Sequence, residues 1–415
     1  MLEDFFAVPA AAHRLRSSVL GAHLDGFASW LVAIGYPVST VRSKLWFVAG
    51  LSRWMMGHRL RVLDVGEQSV DEYLEDRRRR GRRKNVFRST GLQLLEHLRS
   101  TGVIPFPKST AASSALTTLV SRYADYLRRE RALAECTISN YVAFAGAFLT
   151  DRADPRATGL ERLRPADVRD FLLARVRRMA PKRGQLMGTA LRSFLRYLFV
   201  QGVIPNDLSF AVPTVRQWRL VDVPRHISAS EVEKVLGACD LSSATGRRDR
   251  AILLLLARLG LRASEVLALE LDDLRWREGE IVIRRGKGLI RDRLPLLPDV
   301  GEALALYLQR DRPACDTRRV FLRSRAPLRA LGSPASVSTI VASSLRRAGL
   351  APPVRGAHLL RHSLAVAMLR RGVSLTEIGQ VLRHRSPNTT EIYAKLDFTT
   401  LRDVALPWPT AGGAR

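Results

Sequence analysis

Apolar residues recur at three- and four-residue spacings through residues 20–105 and again through residues 115–205, which is the period of an amphipathic helix. Each stretch ends in the same sequence, Gly-Val-Ile-Pro, at residues 102–105 and 202–205. Glycine often follows the last residue of a helix, and proline cannot continue one. The pattern therefore predicts two helical domains in the first half of the chain.

The two helical stretches also match each other position by position, at an offset that grows only from 96 to 100 residues. The matched positions are Phe27, Trp30 and Leu31 with Tyr123, Tyr126 and Leu127; Thr40 and Val41 with Thr137 and Ile138; Val70, Tyr73 and Leu74 with Val168, Phe171 and Leu172; and Leu95 and Leu98 with Leu195 and Leu198. We interpret them as two copies of one small domain. The alternative is chance agreement between amphipathic helices.

The rest of the chain has a mixed pattern. Ser228-x-x-Glu231 has the spacing of a capping box that opens a helix, and an apolar helix further on is expected to stop at Gly260. Residues 280–295 alternate like two strands joined at a Gly-Lys-Gly turn, which predicts a hairpin with Lys287 at its tip. This part is expected to combine helices with a small β-sheet.

The predicted fold is therefore mainly α, with tandem small helical domains followed by a mixed α+β domain. The predicted boundaries are 1–107 and 113–212 for the two helical domains, 225–400 for the mixed domain and 401–415 for a C-terminal tail. The segments between these domains are rich in proline or serine and are interpreted as linkers.

The net charge of the chain indicates a class of binding partner. Among 415 residues, 67 are Lys or Arg and 39 are Asp or Glu, giving a net charge of +28, while 46% are hydrophobic. A foldable chain this basic is expected to bind nucleic acid, although solubility alone is an alternative. The densest basic run is Arg77, Arg78, Arg79, Arg80, Arg82, Arg83 and Lys84. We predict that it contacts DNA phosphates; the alternative is a solvated loop.

The composition also indicates where the protein works. The apolar run 251–257 is seven residues long, far below the ~20 that cross a bilayer, and the Met-Leu-Glu-Asp start lacks the basic region of a signal peptide. Cys136, Cys239 and Cys315 are widely spaced and odd in number, which favours neither a disulfide framework nor a zinc ribbon. We expect no membrane association and a reducing cytoplasm, in association with the nucleoid.

Chemistry-bearing residues are concentrated between His358 and Tyr393. His358 and Arg361 are three apart and share a helix face, so both can reach one phosphate. A tyrosine oxygen can attack phosphorus once its proton is removed, and histidine can accept that proton near neutral pH. His358 and His362 also have metal-ligand spacing, but the Arg361 charge between them makes a metal site unfavourable. Such pairs also arise by chance in an Arg-rich chain.

Residues upstream of His358 complete a larger pattern of polar residues. Gly-Leu-Arg262-x-Ser-Glu265, Lys287 on a hairpin, His358-x-x-Arg361-His, Leu-x-His384 and Tyr393 together resemble the tyrosine recombinase family of phage integrases and Xer-type proteins in residue type, order and spacing. The resemblance covers residues 225–400 and, more loosely, 113–205. One departure is Arg383, where the family usually has Gly; its extra charge is expected to shift His384 or touch DNA.

The resemblance implies a site-specific recombinase that cleaves and rejoins DNA through a 3′-phosphotyrosine, without metal, ATP or another cofactor. The implied roles are phosphate binding by Arg262, Arg361 and His384, nucleophilic attack by Tyr393, protonation of the leaving oxygen by Lys287, and handling of the Tyr proton by His358. Glu265 is expected to brace the site from behind, or to be an ordinary glutamate at a helix start. The second helical domain occupies the place of the family's core-binding domain, and the first is an added DNA-binding or protein-contact domain.

The implied partners are double-stranded DNA with inverted-repeat sites and other copies of the chain, two on a site and four in a synapse, or related recombinases. Integration, excision or transposition of a mobile element is the expected outcome. Two alternatives stay open at this point. A type IB topoisomerase would share the phosphotyrosine chemistry but relax one duplex alone, and a basic DNA-binding protein would form no covalent adduct.

Overall fold

The structure is a computed structural model that describes residues 2–6, 9–81, 88–106, 115–152, 159–215, 224–285, 290–384 and 386–396. The chain forms two compact units. One unit contains residues 1–104 together with 222–415, and the other contains residues 105–221.

In the described residues of the first helical domain, five α-helices pack around one apolar core. They are α1 (Pro9–Arg16), α2 (Gly21–Ala33), α3 (Val38–Gly57), α4 (Glu67–Arg79) and α5 (Arg88–Ser100). A 3₁₀ turn, Val62–Asp64, joins α3 to α4. Phe27, Leu31 and Leu45 are fully buried in this core because they lie on the inward stripes of α2 and α3.

The second helical domain has four α-helices in the part that the structure describes. They are α6 (Ala115–Arg129), α7 (Glu135–Arg152), α8 (Pro165–Val176) and α9 (Pro181–Val200). A 3₁₀ turn, Leu160–Arg162, again joins the second of these helices to the third. The order of elements from α2 to α5 is thus the same as that from α6 to α9.

The positions matched between the two copies fill equivalent places in their own cores. Phe27 and Tyr123 are both fully buried, as are Leu31 and Leu127. The other buried pairs are Val41 with Ile138, Val70 with Val168, Tyr73 with Phe171, Leu74 with Leu172, Leu95 with Leu195, Leu98 with Leu198, and Ile104 with Ile204. Burial at these matched positions agrees with two copies of one domain, which stays a prediction.

The C-terminal part combines helices with a small sheet. Its elements are α10 (Ala229–Gly237), α11 (Ala244–Arg258), α12 (Ala263–Ala268), β1 (Leu274–Arg275), β2 (Glu280–Arg285), β3 (Ile290–Pro295), α13 (Pro298–Arg310), α14 (Pro334–Arg347), α15 (His358–Leu369) and α16 (Leu375–Val381). The sheet is antiparallel in the order β1-β2-β3, with Ile281 opposite Leu294. A 3₁₀ helix, Glu391–Leu396, follows α16.

Helix α11 is the centre of this part because residues 251–257 are buried on every side. Helices α10, α13, α14 and α15 pack against it or beside it. A smaller apolar cluster forms where α15, α16 and the last 3₁₀ helix meet, and it includes Leu382 and Tyr393. Helix α15 therefore connects α16 and the last 3₁₀ helix to the core around α11.

The first helical domain contacts the C-terminal part within their shared unit. The Leu328 N–H donates a hydrogen bond to the Ile34 carbonyl at 2.8 Å. Gly35 has φ +90°, and a Cβ there would lie 2.4 Å from a methyl carbon of Leu328. Glycine is required at this point by both its backbone angle and the space available.

The predicted mainly helical fold with a small sheet is confirmed. The capping box is also confirmed, since the Ser228 hydroxyl accepts from the Glu231 N–H and the Glu231 carboxylate accepts from the Ser228 N–H. The hairpin forms as predicted, but its tip with Lys287 lies outside the described residues. Among the described helices, none combines the length and apolarity needed to cross a membrane.

Candidate active site

The site begins where α11 ends. Gly260 has φ +59°, and a Cβ there would lie 2.7 Å from the Leu382 side chain. Glycine suits this left-handed turn and leaves space for the Leu382 side chain to pack against it. The next helix, α12, starts directly after Arg262, as the sequence predicts. Arg262 is thus fixed at a helix start, with its side chain about one-third exposed.

Glu265 holds two arginines. Its carboxylate accepts from the Arg262 side chain at 2.7 Å, from the Arg262 backbone N–H at 2.9 Å and from the Arg383 side chain at 2.9 Å. Burial alone would raise the pKa of Glu265, but the Arg262 N–H and the Arg383 charge outweigh burial and lower that pKa. Glu265 stays ionised and orients both guanidiniums, which is more than a helix-capping role.

Arg361 lies on the inward face of α15 and is 3% exposed. Its guanidinium donates to the carbonyls of Gly260 and Leu382, and so connects the segment before Arg262 with the segment before His384. Burial, and then the charges of Arg262 and Arg383, lower its pKa to about 9. Arg361 is therefore cationic at neutral pH in a place that favours an added negative charge.

Arg383 is a buried residue of the site. It is 4% exposed, and its side chain pairs with Glu265 instead of facing solvent. Its φ of +55° lies in the left-handed region, which explains why glycine suits this position. Its carbonyl accepts from the Arg262 guanidinium at 3.2 Å. In this conformation the Arg383 side chain is enclosed, and the two expectations for it, a shift of His384 or contact with DNA, stay predictions.

His384 follows Arg383 and lies at a cavity of about 500 Å³. Its Nδ1 is 2.7 Å from the Thr390 hydroxyl. Burial, and then the charges of Arg361 and Arg262, lower its pKa to about 4, so His384 is neutral at pH 7. In the tautomer whose Nδ1 accepts from Thr390, the Nε2–H is the ring's hydrogen-bond donor and suits a phosphate oxygen. Asp292 of β3 also lines this cavity.

Tyr393 lies in the last 3₁₀ helix and is 1% exposed. Its hydroxyl is 2.6 Å from Nδ1 of His362. Burial raises the pKa of Tyr393 to about 12, although the nearby Arg361 charge acts in the opposite direction. The phenol is therefore protonated at neutral pH and needs a base before it can react.

The structure brings most of the predicted residues together. Glu265 connects to Arg262, and Arg361 lies close enough to Arg262 and Tyr393 for their charges to interact. His358 is exposed at the start of α15, with its ring 6.2 Å from the ring of His362. Lys287 lies outside the described residues.

Sequence reasoning missed the parts played by His362 and Thr390. The sequence places His362 in the His358-x-x-Arg361-His motif and at metal-ligand spacing from His358, but neither feature indicates its contact with Tyr393. Thr390 carries no sequence signal, since its contact with His384 depends on the turn between them. Among the described residues, no group of three or more His, Cys, Asp or Glu side chains is arranged to hold a metal ion.

The basic run of the first helical domain is only partly described. Arg77 lies against Tyr73, with Nη1 3.2 Å from the hydroxyl, while Arg79 and Arg80 pair with carboxylates one turn earlier. Arg82, Arg83 and Lys84 lie outside the described residues. Exposed helical ion pairs are weak, about 0.3–0.5 kcal/mol, so those of Arg79 and Arg80 exchange readily for other anions.

The charges of the site as a whole favour binding of an anion. Arg262, Arg361 and Arg383 interact electrostatically around the single carboxylate Glu265. Guanidiniums pair with phosphate oxygens through two parallel hydrogen bonds, and Arg262 retains exposed surface with which to do so. A phosphodiester, which carries one negative charge, suits this centre.

Family models match two parts of the chain. Residues 225–400 match the phage integrase family, and residues 120–202 match its N-terminal SAM-like domain. The first match contains every motif residue of the site.

Similar proteins extend the match to the whole chain. A Sinorhizobium fredii protein named as integrase/recombinase y4rA is 43% identical over 98% of this chain and 99% of its own length. The tyrosine recombinase XerC of Mesorhizobium japonicum is 32% identical over 67% of this chain and 90% of its own length. The added N-terminal domain is thus shared with y4rA.

Solved structures show the same fold. XerH recombinase bound to palindromic difH substrate gives a TM-score of 0.55 at 23% identity, over 70% of this chain and 84% of that one. A lambda integrase dimer bound to a core site gives 0.53 at 17% identity, over 72% and 99%. Sequence, fold and site agree, and the chain belongs to the phage integrase family of tyrosine recombinases, enzymes that cleave and rejoin DNA in site-specific recombination.

Proposed function

We propose that this recombinase uses Tyr393 as its nucleophile and Arg262, Arg361 and His384 as its phosphate-binding groups. The observation that carries the proposal is the arginine centre around Glu265, beside a buried tyrosine of the same chain. As Tyr393 attacks, charge grows on the two non-bridging oxygens of the phosphate. Fixed guanidiniums can neutralise that charge without a metal ion.

The cleavage step would join Tyr393 to the 3′ phosphate and release a 5′-hydroxyl. We assign protonation of that leaving oxygen to Lys287, on the resemblance of its hairpin to the family's motif and on the position of β3 beside the cavity. The phosphotyrosine keeps the energy of the phosphodiester bond. A 5′-hydroxyl from a second duplex can then reverse the reaction, so that strands are exchanged without ATP.

The chain's proposed biological activity is movement of a mobile element, by integration, excision or transposition. In the solved structures, XerH is bound to a palindromic substrate and lambda integrase is bound as a dimer to a core site. We propose that this chain likewise binds inverted repeats as a dimer and pairs two sites as a tetramer, alone or with related recombinases. It would act in the cytoplasm, on nucleoid DNA.

Strand exchange tests this function directly. Purified protein and two duplexes carrying the inverted repeats that flank its gene should yield recombinant strands in the presence of EDTA. The covalent protein–DNA adduct should accumulate on a nicked substrate from which the 5′-hydroxyl diffuses away. Relaxation of supercoiled DNA without a specific site would instead indicate topoisomerase action, and loss of cleavage in EDTA with binding intact would refute the arginine-based mechanism.

We also propose that the first helical domain contacts DNA through its basic run, residues 77–84. The support is its four described arginines at the end of α4, where Arg78, Arg79 and Arg80 are exposed. Each phosphate that the run neutralises should steepen the fall of log affinity with log salt by roughly 0.9 on duplex DNA.

The double variant Arg78→Ala/Arg79→Ala should therefore reduce the salt slope by about 1.8 if both residues contact phosphates. Binding to one half-site would be measured at several salt concentrations. The matched control is Arg59→Ala/Arg61→Ala, which removes two exposed charges of the same domain outside the run. Equal slopes for the two variants would reject the run as a DNA contact and favour a role of this domain between protomers.

A further inference from the structure

His362 contacts the hydroxyl that performs the proposed attack. It lies on α15 directly after Arg361, and its Nδ1 is 2.6 Å from the Tyr393 hydroxyl. The two rings are inclined by 59°, with centroids 5.7 Å apart. This contact joins α15 to the last 3₁₀ helix, so it forms only in the folded protein.

The surroundings of Tyr393 make a proton acceptor necessary. The ring is enclosed by apolar side chains that include Ala365, Ile378 and Leu382. Burial favours the neutral phenol over the phenolate. Because a neutral phenol is a weak nucleophile, its proton must leave as the oxygen attacks. A base at hydrogen-bond distance from that oxygen meets this requirement.

Two other histidines are less suitably placed. His358 is exposed, and its ring is 6.2 Å from that of His362. Nδ1 of His384 contacts the Thr390 hydroxyl, so this nitrogen already has a partner other than Tyr393. Neutral His362 with its proton on Nε2 can accept the Tyr393 hydrogen bond through Nδ1.

We propose that His362 is a catalytic residue: the general base for cleavage and the general acid for rejoining. In cleavage, the Tyr393 O–H bond breaks and its proton passes to Nδ1 of His362. The Tyr393 oxygen bonds to phosphorus, and the bond from phosphorus to the 5′ oxygen breaks, with that oxygen taking a proton from the acid assigned to Lys287. Rejoining returns the His362 proton to Tyr393. This inference rests on the proposed role of Tyr393.

Chemical rescue distinguishes a base from a merely structural residue. His362→Ala should bind the DNA site normally and cleave a nicked substrate roughly 10²–10⁴-fold more slowly, the usual contribution of a positioned base. Added imidazole can enter the space left by the ring and should restore part of the rate. His362→Asn keeps a similar volume without a basic nitrogen, and should be as slow as the alanine variant.

His358→Ala is the matched control, since it removes the other imidazole of the motif. Rescue by imidazole in His362→Ala and not in His358→Ala supports the proposal. The proposal is overturned if His362→Ala cleaves at the wild-type rate. It is also overturned if imidazole restores cleavage by His358→Ala but not by His362→Ala. These comparisons require that the wild-type protein forms a covalent adduct at Tyr393. Absence of that adduct in the wild type would refute the proposed function, whereas a wild-type adduct with unchanged cleavage in His362→Ala would refute only the role of His362.

Discussion

Replacing Tyr393 with Phe should leave DNA binding unchanged and abolish the covalent adduct. Phe preserves the ring that packs with Ile378 and Leu382, so the fold of this region is retained. It removes the oxygen that we propose as the nucleophile, so the covalent bond to phosphorus cannot form through this residue. The adduct would be measured on a denaturing gel with a nicked substrate, and binding by gel shift.

The control for this variant is Tyr307→Phe. Tyr307 is also buried in the C-terminal part, and its hydroxyl accepts a hydrogen bond from the Leu322 N–H at 3.2 Å. It lies outside the site, so its loss should cost modest stability and leave the adduct intact. An adduct formed by Tyr393→Phe would assign the nucleophile to another residue.

Glu265→Ala should destabilise the protein by about 3–5 kcal/mol, the usual cost of removing one partner of a buried ion pair. The variant leaves the enclosed Arg383 guanidinium without its carboxylate and frees Arg262 from its orienting contact. Equilibrium unfolding in urea measures the loss. Cleavage should also slow, because Arg262 would no longer be held at the phosphate.

Adding Arg383→Gly to Glu265→Ala should recover much of that stability. The double variant removes the uncompensated charge, and glycine accepts the left-handed backbone at this position without strain. Cleavage should recover less than stability, since Arg262 still lacks Glu265. A double variant that unfolds as easily as Glu265→Ala would show that the Arg383 charge is not the source of the cost.

The same ion pairs make stability depend on pH. The folded state lowers the pKa of Glu265, so its stabilising contribution is present above the pKa of the unfolded state and is lost as pH falls through the folded value. Wild-type stability should therefore decrease in the acidic range more steeply than that of the Glu265→Ala/Arg383→Gly variant. Parallel urea titrations at neutral and acidic pH measure the difference.

The sequence predicted the helical copies, the hairpin and the order of the motifs because each depends on local patterns. Apolar spacing specified α2 to α5 and α6 to α9, and Gly260 specified the turn before Arg262. The resemblance identified the residue types of the site. These predictions required no knowledge of which distant residues meet.

Contacts between distant residues could not be read in this way. The Glu265–Arg383 pair joins residues 118 positions apart, and no local pattern favours this pair over a DNA contact for Arg383. The same holds for Tyr393, whose hydroxyl meets His362 where the motif suggested His358. Both outcomes depend on how α15, α16 and the last 3₁₀ helix pack together.

The Tyr393 hydroxyl contacts His362 of its own polypeptide, and Arg361 of that polypeptide lies close enough to interact electrostatically. In the multimer proposed above, each subunit would therefore carry its own tyrosine and arginines, and an inactivated subunit would silence only the strand beside it. A cell holding one intact and one inactivated copy of the gene would then assemble mixed complexes that lose cuts in proportion to the inactivated subunits. Two different inactive variants, one lacking Tyr393 and one lacking Arg262, would not restore each other's activity.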